Sequence, residues 1–187
     1  LVTLTAGTGV GKSSITRELA YYLMDLGQKV GYIALEESCR RTAEHIMGLH
    51  LYNPPYRWHE NPITEKEKRE AFDATVGSGK MVLFDHFGST EPENILNRIR
   101  YMAKAMNCNY IILDHLSIVV SALESGDERR MIDNTMTRLR SLVEETGIHL
   151  IVVSHLRRPD GRSHEEGGST SLAQLRGSHA IAQLSDA

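Results

Sequence analysis

"LVTLTAGTGVGKSS", residues 1–14, is the stretch on which the rest of the chain turns. An apolar, β-branched run leads into a glycine-rich loop, and the loop runs into Lys12 and a helical pattern. Strand, then loop, then helix is the setting in which such a loop cradles phosphate. Gly7, Gly9 and Gly11 free the backbone to turn its N–H groups inward, and the helix N-terminus adds its positive end. The candidate phosphate-binding set is Gly7, Gly9, Val10, Gly11, Lys12, Ser13 and Ser14. Lys12 is expected to reach the β- and γ-phosphates and Ser13 to ligate Mg2+. The first position of the motif is Ala6 instead of glycine, which leaves three glycines to shape the turn. A ligand-free glycine turn is the plainer reading, and GKS directly after a strand argues against it.

Four further apolar runs follow: "KVGYIAL" (29–35), "MVLF" (81–84), "YIIL" (110–113) and "IHLIVVS" (148–154). They are short and nearly continuous, as strands covered on both faces should be. Helical patterns lie between them. Gly27 is placed to end the first helix in a left-handed conformation. Thr64 with Glu67, and Thr90 with Glu93, have capping-box spacing. A long helix is expected from about Asp127 to Thr146, with Met131, Ile132, Met136, Leu139, Leu142 and Val143 as its apolar stripe and Gly147 as its stop. The alternation gives an α/β fold: a mostly parallel sheet flanked by helices, with right-handed crossovers.

The composition narrows the classes. The chain has 187 residues, enough for one domain with a real core, and is 41% hydrophobic. No apolar run is long enough to span a bilayer as a helix, and no signal segment opens the sequence, so no membrane partner is expected. Cys39 and Cys108 have no CxxC spacing, which fits a reducing cytoplasm and offers no zinc site. A net charge of −3 makes no general case for nucleic acid, so any such contact must be local. The chain opens on a strand and closes at "AIAQLSDA", and residues 1–187 read as a core cut at both ends.

A phosphate cradle needs an acid on a nearby strand tip to orient Mg2+. "MVLFDH" ends at Asp85 and "YIILDH" at Asp114, and spacing alone does not choose between them. Asp85 is followed by Phe87 and Gly88 and reads well as a loop residue, which favours Asp114. The run "YIALEES" (32–38) ends in paired acids. Ligands gather at the carboxyl ends of parallel strands, so Glu36 there could polarise water for in-line attack on a γ-phosphate. Alternatively, both acids serve the N-terminus of the next helix, a role that Glu37 suits better than Glu36. His155, at the tip of the last strand, could sense a phosphate by hydrogen bonding, or be a half-exposed strand end. Beyond it, Arg157, Arg158 and Arg162 could meet a phosphate backbone, although Asp160, Glu165 and Glu166 partly cancel them. The proline- and aromatic-rich loop 51–62, with Tyr52, Tyr56 and Trp58, reads as packing or a subunit contact before it reads as a base-stacking surface.

Taken in order, "GTGVGKSS", "LEES", "YIILDHLSIVVSA", "DERRMIDN", "VVSHLRRP", "HEEG" and "LRGSHAIAQLSD" resemble the RecA-like motor domain of ring-shaped replicative DNA helicases. The likeness covers nearly the whole chain and is closest to the helicase half of phage primase-helicases, which are related to the bacterial and mitochondrial replicative helicases. It implies a P-loop NTPase of the RecA-like type that hydrolyses ATP or dTTP with Mg2+, translocates on single-stranded DNA and unwinds duplex. It implies Lys12 and Ser13 as phosphate and magnesium residues, Glu36 as the catalytic carboxylate, Asp114 as the magnesium-orienting acid and His155 as the switch that reports the γ-phosphate. Arg157, Arg158, Arg162, Arg176 and Gly177 fall in segments resembling DNA contacts of the central channel. The resemblance also implies a homo-hexameric ring, a fused primase domain or a primase partner, and a cytoplasmic location, that of the host if the protein is phage-encoded. The family's arginine finger and base contacts would lie beyond Ala187, so residues 1–187 alone are expected to bind nucleotide weakly and not to unwind DNA. A RecA-family recombinase or clock-type ATPase shares this fold. A small-molecule kinase also has the cradle, with Arg157, Arg158 and Arg162 as a lid, and a nucleotide-gated assembly module would turn over little.

Overall fold

The computed structural model describes residues 1–7, 9–85, 91–116, 119, 128–156, 175 and 179–187. Each of the five apolar runs is a strand: β1 (Val2–Ala6), β2 (Val30–Ala34), β3 (Met81–Phe84), β4 (Tyr110–Asp114) and β5 (His149–His155). All pair in parallel, in the order β1-β5-β4-β2-β3. The last strand in sequence is therefore a central one, lying between β1 and β4. Ala6 is opposite His155, and Ala34 is opposite Asp114, so the carboxyl tips of these four strands share one rim.

Successive strand residues face opposite sides, and each side has its own core. Ile111 and Leu113 of β4, with Leu150 and Val152 of β5, join one cluster. Its other wall is α4 (Pro92–Lys104), through Ile95, Ile99 and Met102, and α5 (Glu128–Thr146), through Ile132, Met136, Leu139 and Leu142. Ile112 and Ile151 point the other way, onto Ala20, Leu23 and Met24 of α1 (Lys12–Asp25) and Ile46 of α2 (Cys39–His50). Helix α4 lies so close to the sheet that a Cβ on Gly31 would sit 2.8 Å from Met102 Sδ. Only glycine fits there without repacking.

The punctuation of the helices has local causes. Gly27, at φ 80°, closes α1 in a Schellman motif: its N–H donates to Met24 and that of Gln28 to Leu23. Thr64 caps α3 (Glu65–Ala74) in a reciprocal box with Glu67, as its spacing predicts. The long helix α5 begins at Glu128 and gives way at Gly147, φ 70°. On its stripe, Met131 and Val143 are only partly buried. One expectation needs correction: α4 is not capped by a box on Thr90 and Glu93. Its N-cap is Glu91, with no side-chain cap bond, and Pro92 opens the helix with a preset φ. Glu93 pairs with Arg138 of α5 instead, and Thr90 lies outside the described residues. "AIAQLSDA" also holds most of a helix, α6 (His179–Leu184), after which the Asp186 N–H donates to the Leu1 carbonyl at 2.8 Å.

In the aromatic loop, Pro55–Arg57 forms a 3-10 turn, and Trp58 Nε1 donates to the Asn53 carbonyl at 2.8 Å. Tyr52 and Tyr56 are exposed. No described helix is long and apolar enough to cross a membrane.

Candidate active site

The site forms where the loop after β1 meets the tips of β5, β4 and β2. Gly9 (φ 78°) and Gly11 (φ 96°) adopt left-handed conformations, which glycine takes without a steric cost. The first turn of α1 holds no acidic residue, which leaves its positive end available to an anion. Lys12 is buried, and its ammonium donates to the carbonyls of Gly7 at 2.6 Å and Ala6 at 3.0 Å. Burial lowers its pKa, while Asp114 and Glu36 pull the other way. Val10 is exposed.

Asp114 is buried at the tip of β4, and Ser13 lines the same cavity. Burial raises the Asp114 pKa, opposed by the nearby Ser13 hydroxyl and by His115. A serine hydroxyl and a carboxylate side by side are hard oxygen donors of the kind Mg2+ takes. Asp85 stands apart: it is exposed after β3, the edge strand, with β2 between it and β4.

Glu36 lies just past β2, in a bend after Leu35, whose N–H donates to the Asp114 carbonyl at 2.7 Å. Its carboxylate meets His115 Nε2 at 2.6 Å. The His115 ring stands perpendicular to that of His155, with centroids 4.1 Å apart. Gly9, Gly11, Lys12, Ser13, Ser14, Glu36, Asp114, His115 and His155 line one cavity of about 250 Å³. The adjoining acid takes another direction. Glu37 pairs with Arg17 of α1 at 2.7 Å and accepts the Thr42 hydroxyl of α2 at 2.7 Å. Ser38 caps α2.

The structure thus brings together Lys12, Ser13, Glu36, Asp114 and His155, and adds two residues that sequence reasoning passed over. His115 stood in plain sight in "LDH", directly after an acid at a strand tip. Arg17 carried no signal, because an arginine one turn into a helix is ordinary. Arg157, Arg158, Arg162, Arg176 and Gly177 lie outside the described residues.

The model of the DnaB-like helicase C-terminal domain matches residues 1–187. This chain belongs to that family. It is 39% identical, over an alignment of 194 residues, to the DNA helicase/primase of Enterobacteria phage T3, covering all of this chain and 34% of the phage protein. The chain therefore spans about a third of the length of that curated relative. Among solved structures, an ATPase domain superposes with a TM-score of 0.80 at 17% identity, over 99% of this chain and 66% of that one. A DnaB-like replicative helicase, solved in a study of its interactions with primase, also gives 0.80, at 16% identity over 100% of this chain and 45% of that one. A KaiC-like protein of Pyrococcus horikoshii gives 0.61 at 22% identity, over 95% of this chain and 70% of that one. At these identities the likeness is one of fold: the RecA-like P-loop ATPase core.

Proposed function

We propose that this chain is the NTP-hydrolysing motor of a replicative DNA helicase that translocates on single-stranded DNA and unwinds duplex. The observation that carries this reading is the meeting of the glycine cradle, Asp114 and Glu36 on one rim of the sheet, in a chain of the DnaB-like helicase family. In it, the loop from Gly7 to Gly11 and the α1 N-terminus hold the triphosphate of ATP or dTTP. The Lys12 ammonium leaves the carbonyls of Ala6 and Gly7 for the β- and γ-phosphates. Ser13 and Asp114 would hold Mg2+, which when bound neutralises charge on the phosphate oxygens. The Glu36 carboxylate takes the proton of a water aligned for in-line attack, and His155 reports the γ-phosphate to the segments beyond β5.

Arg157, Arg158, Arg162, Arg176 and Gly177 would meet the backbone of single-stranded DNA, in a homo-hexameric ring working in the cytoplasm with a fused or separate primase. The name of the phage T3 relative supports the primase association.

The test is NTP hydrolysis by the complete polypeptide that contains this chain, with and without single-stranded DNA, together with strand separation of a forked duplex. Phosphate released to water and stimulated by single-stranded DNA, with unwinding, is expected. Transfer to a metabolite would make the protein a kinase, and turnover indifferent to DNA would point to a clock-type ATPase.

A further inference from the structure

Glu36 sits at a bend with its side chain 57% exposed, so nothing in its own backbone fixes where the carboxylate points. Its described side-chain partner is His115, which is 6% exposed and held at the tip of β4. The two meet at 2.6 Å through His115 Nε2. The other ring nitrogen, Nδ1, is buried without a hydrogen-bond partner among the described residues. A proton on Nδ1 would bury an unpaired donor, whereas a bare lone pair costs less. The proton therefore belongs on Nε2, and His115 donates to Glu36.

The same ring also packs edge-on against His155. Strands β2 and β5 are not neighbours, since β4 runs between them. His115 thus bridges the acid after β2 and the histidine ending β5. We infer that His115 is a positioning residue: its Nε2–H aims the Glu36 carboxylate, and its contact with His155 ties that aim to the state of the β5 tip. A shift of His155 on meeting a γ-phosphate would move the ring, and with it the acid that activates water. This rests on the motor reading given above.

The experiment uses the complete polypeptide with saturating single-stranded DNA. His115→Phe keeps a ring of similar size against His155 but removes the donor; His115→Gln gives up the ring and keeps an N–H at similar reach. With aim as the function, His115→Phe lowers kcat about 10- to 100-fold with KM within about twofold, and His115→Gln recovers most of the loss. With packing as the function the order reverses, and His115→Phe is the active variant. A wild-type kcat in His115→Phe, or an equal loss in both variants, overturns the inference. Independently of variant folding, the nitrogen chemical shifts of His115 in the wild-type protein must show the Nε2–H tautomer, and the Nδ1–H tautomer overturns it. Absence of DNA-stimulated hydrolysis in the wild type would defeat the motor reading instead, and the tautomer would still report on the His115–Glu36 bond.

Discussion

Ser13, in the first turn of α1, and Asp114, buried at the tip of β4, face each other across one cavity. This meeting brings together the two elements that must approach if a metal is to bridge cradle and sheet. It also holds a carboxylate where water does not reach it freely. Burial raises Asp114 above its usual 3.8, so the folded chain holds that proton more tightly than the unfolded chain does. The stability this group contributes is complete below 3.8 and is lost as pH rises through the raised value. At neutral pH the ionised acid is therefore a cost to the fold. Asp114→Asn should melt a few degrees higher at pH 7.5, roughly what 1 kcal/mol gives a chain of this size, while Mg2+-dependent hydrolysis disappears. The gain should shrink as the melts are repeated towards pH 4.

Lys12 presents a similar conflict with the opposite charge. Its ammonium is buried and held by two loop carbonyls, so it both shapes the cradle and waits for an anion. Lys12→Ala should leave the fold intact and weaken binding of a fluorescent NTP analogue at least tenfold, a loss of about 1.4 kcal/mol or more. Undiminished binding would mean that the loop amides alone hold the triphosphate.

The elements were legible because each strand here is a short, nearly unbroken run of Val, Ile and Leu, and because Gly27, Gly147 and Thr64 mark ends by conformation or capping. The order of the strands was not. Nothing in "IHLIVVS" says that it inserts between β1 and β4, because strand order is set by packing across the whole sheet. The rim was readable as a consequence of parallel pairing: if the strands run one way, acids at their carboxyl ends must gather. Thr90 misled because a capping spacing competes with proline, and Pro92 starts α4 on its own terms. The Glu36–His115 contact joins residues 79 positions apart and has no local signature.

The cap that was read correctly offers a clean measurement. Thr64 accepts from the Glu67 N–H, and Glu67 returns a bond to the Thr64 N–H at 2.7 Å, all on an exposed helix end. Thr64→Ala frees the Glu67 amide to solvent without touching the core or the site. The melting temperature should fall by about 2–4 °C, with hydrolysis unchanged. A drop several times larger would mean that α3 supports α2 more than its packing suggests.

The adjacent acids of "LEES" divide their work, and paired variants separate it. Glu36 faces the cavity and the cradle; Glu37 is mostly buried between Arg17 and Thr42, which ties α1 to the start of α2. Glu36→Gln keeps size and polarity but cannot take a proton, so NTP should bind normally while kcat falls about 10²- to 10⁴-fold. Glu37→Gln keeps the Thr42 bond and strands the Arg17 guanidinium, whose Nε is already buried without a partner among the described residues. It should cost about 2 kcal/mol in a denaturant titration, with kcat changed only a few-fold. Replacing Arg17 by Met in the Glu37→Gln background should recover much of that stability, because the uncompensated charge goes with it. If instead Glu37→Gln abolishes turnover in a fully stable protein while Glu36→Gln turns over freely, the roles are exchanged. The proton would then pass through the acid now held by Arg17.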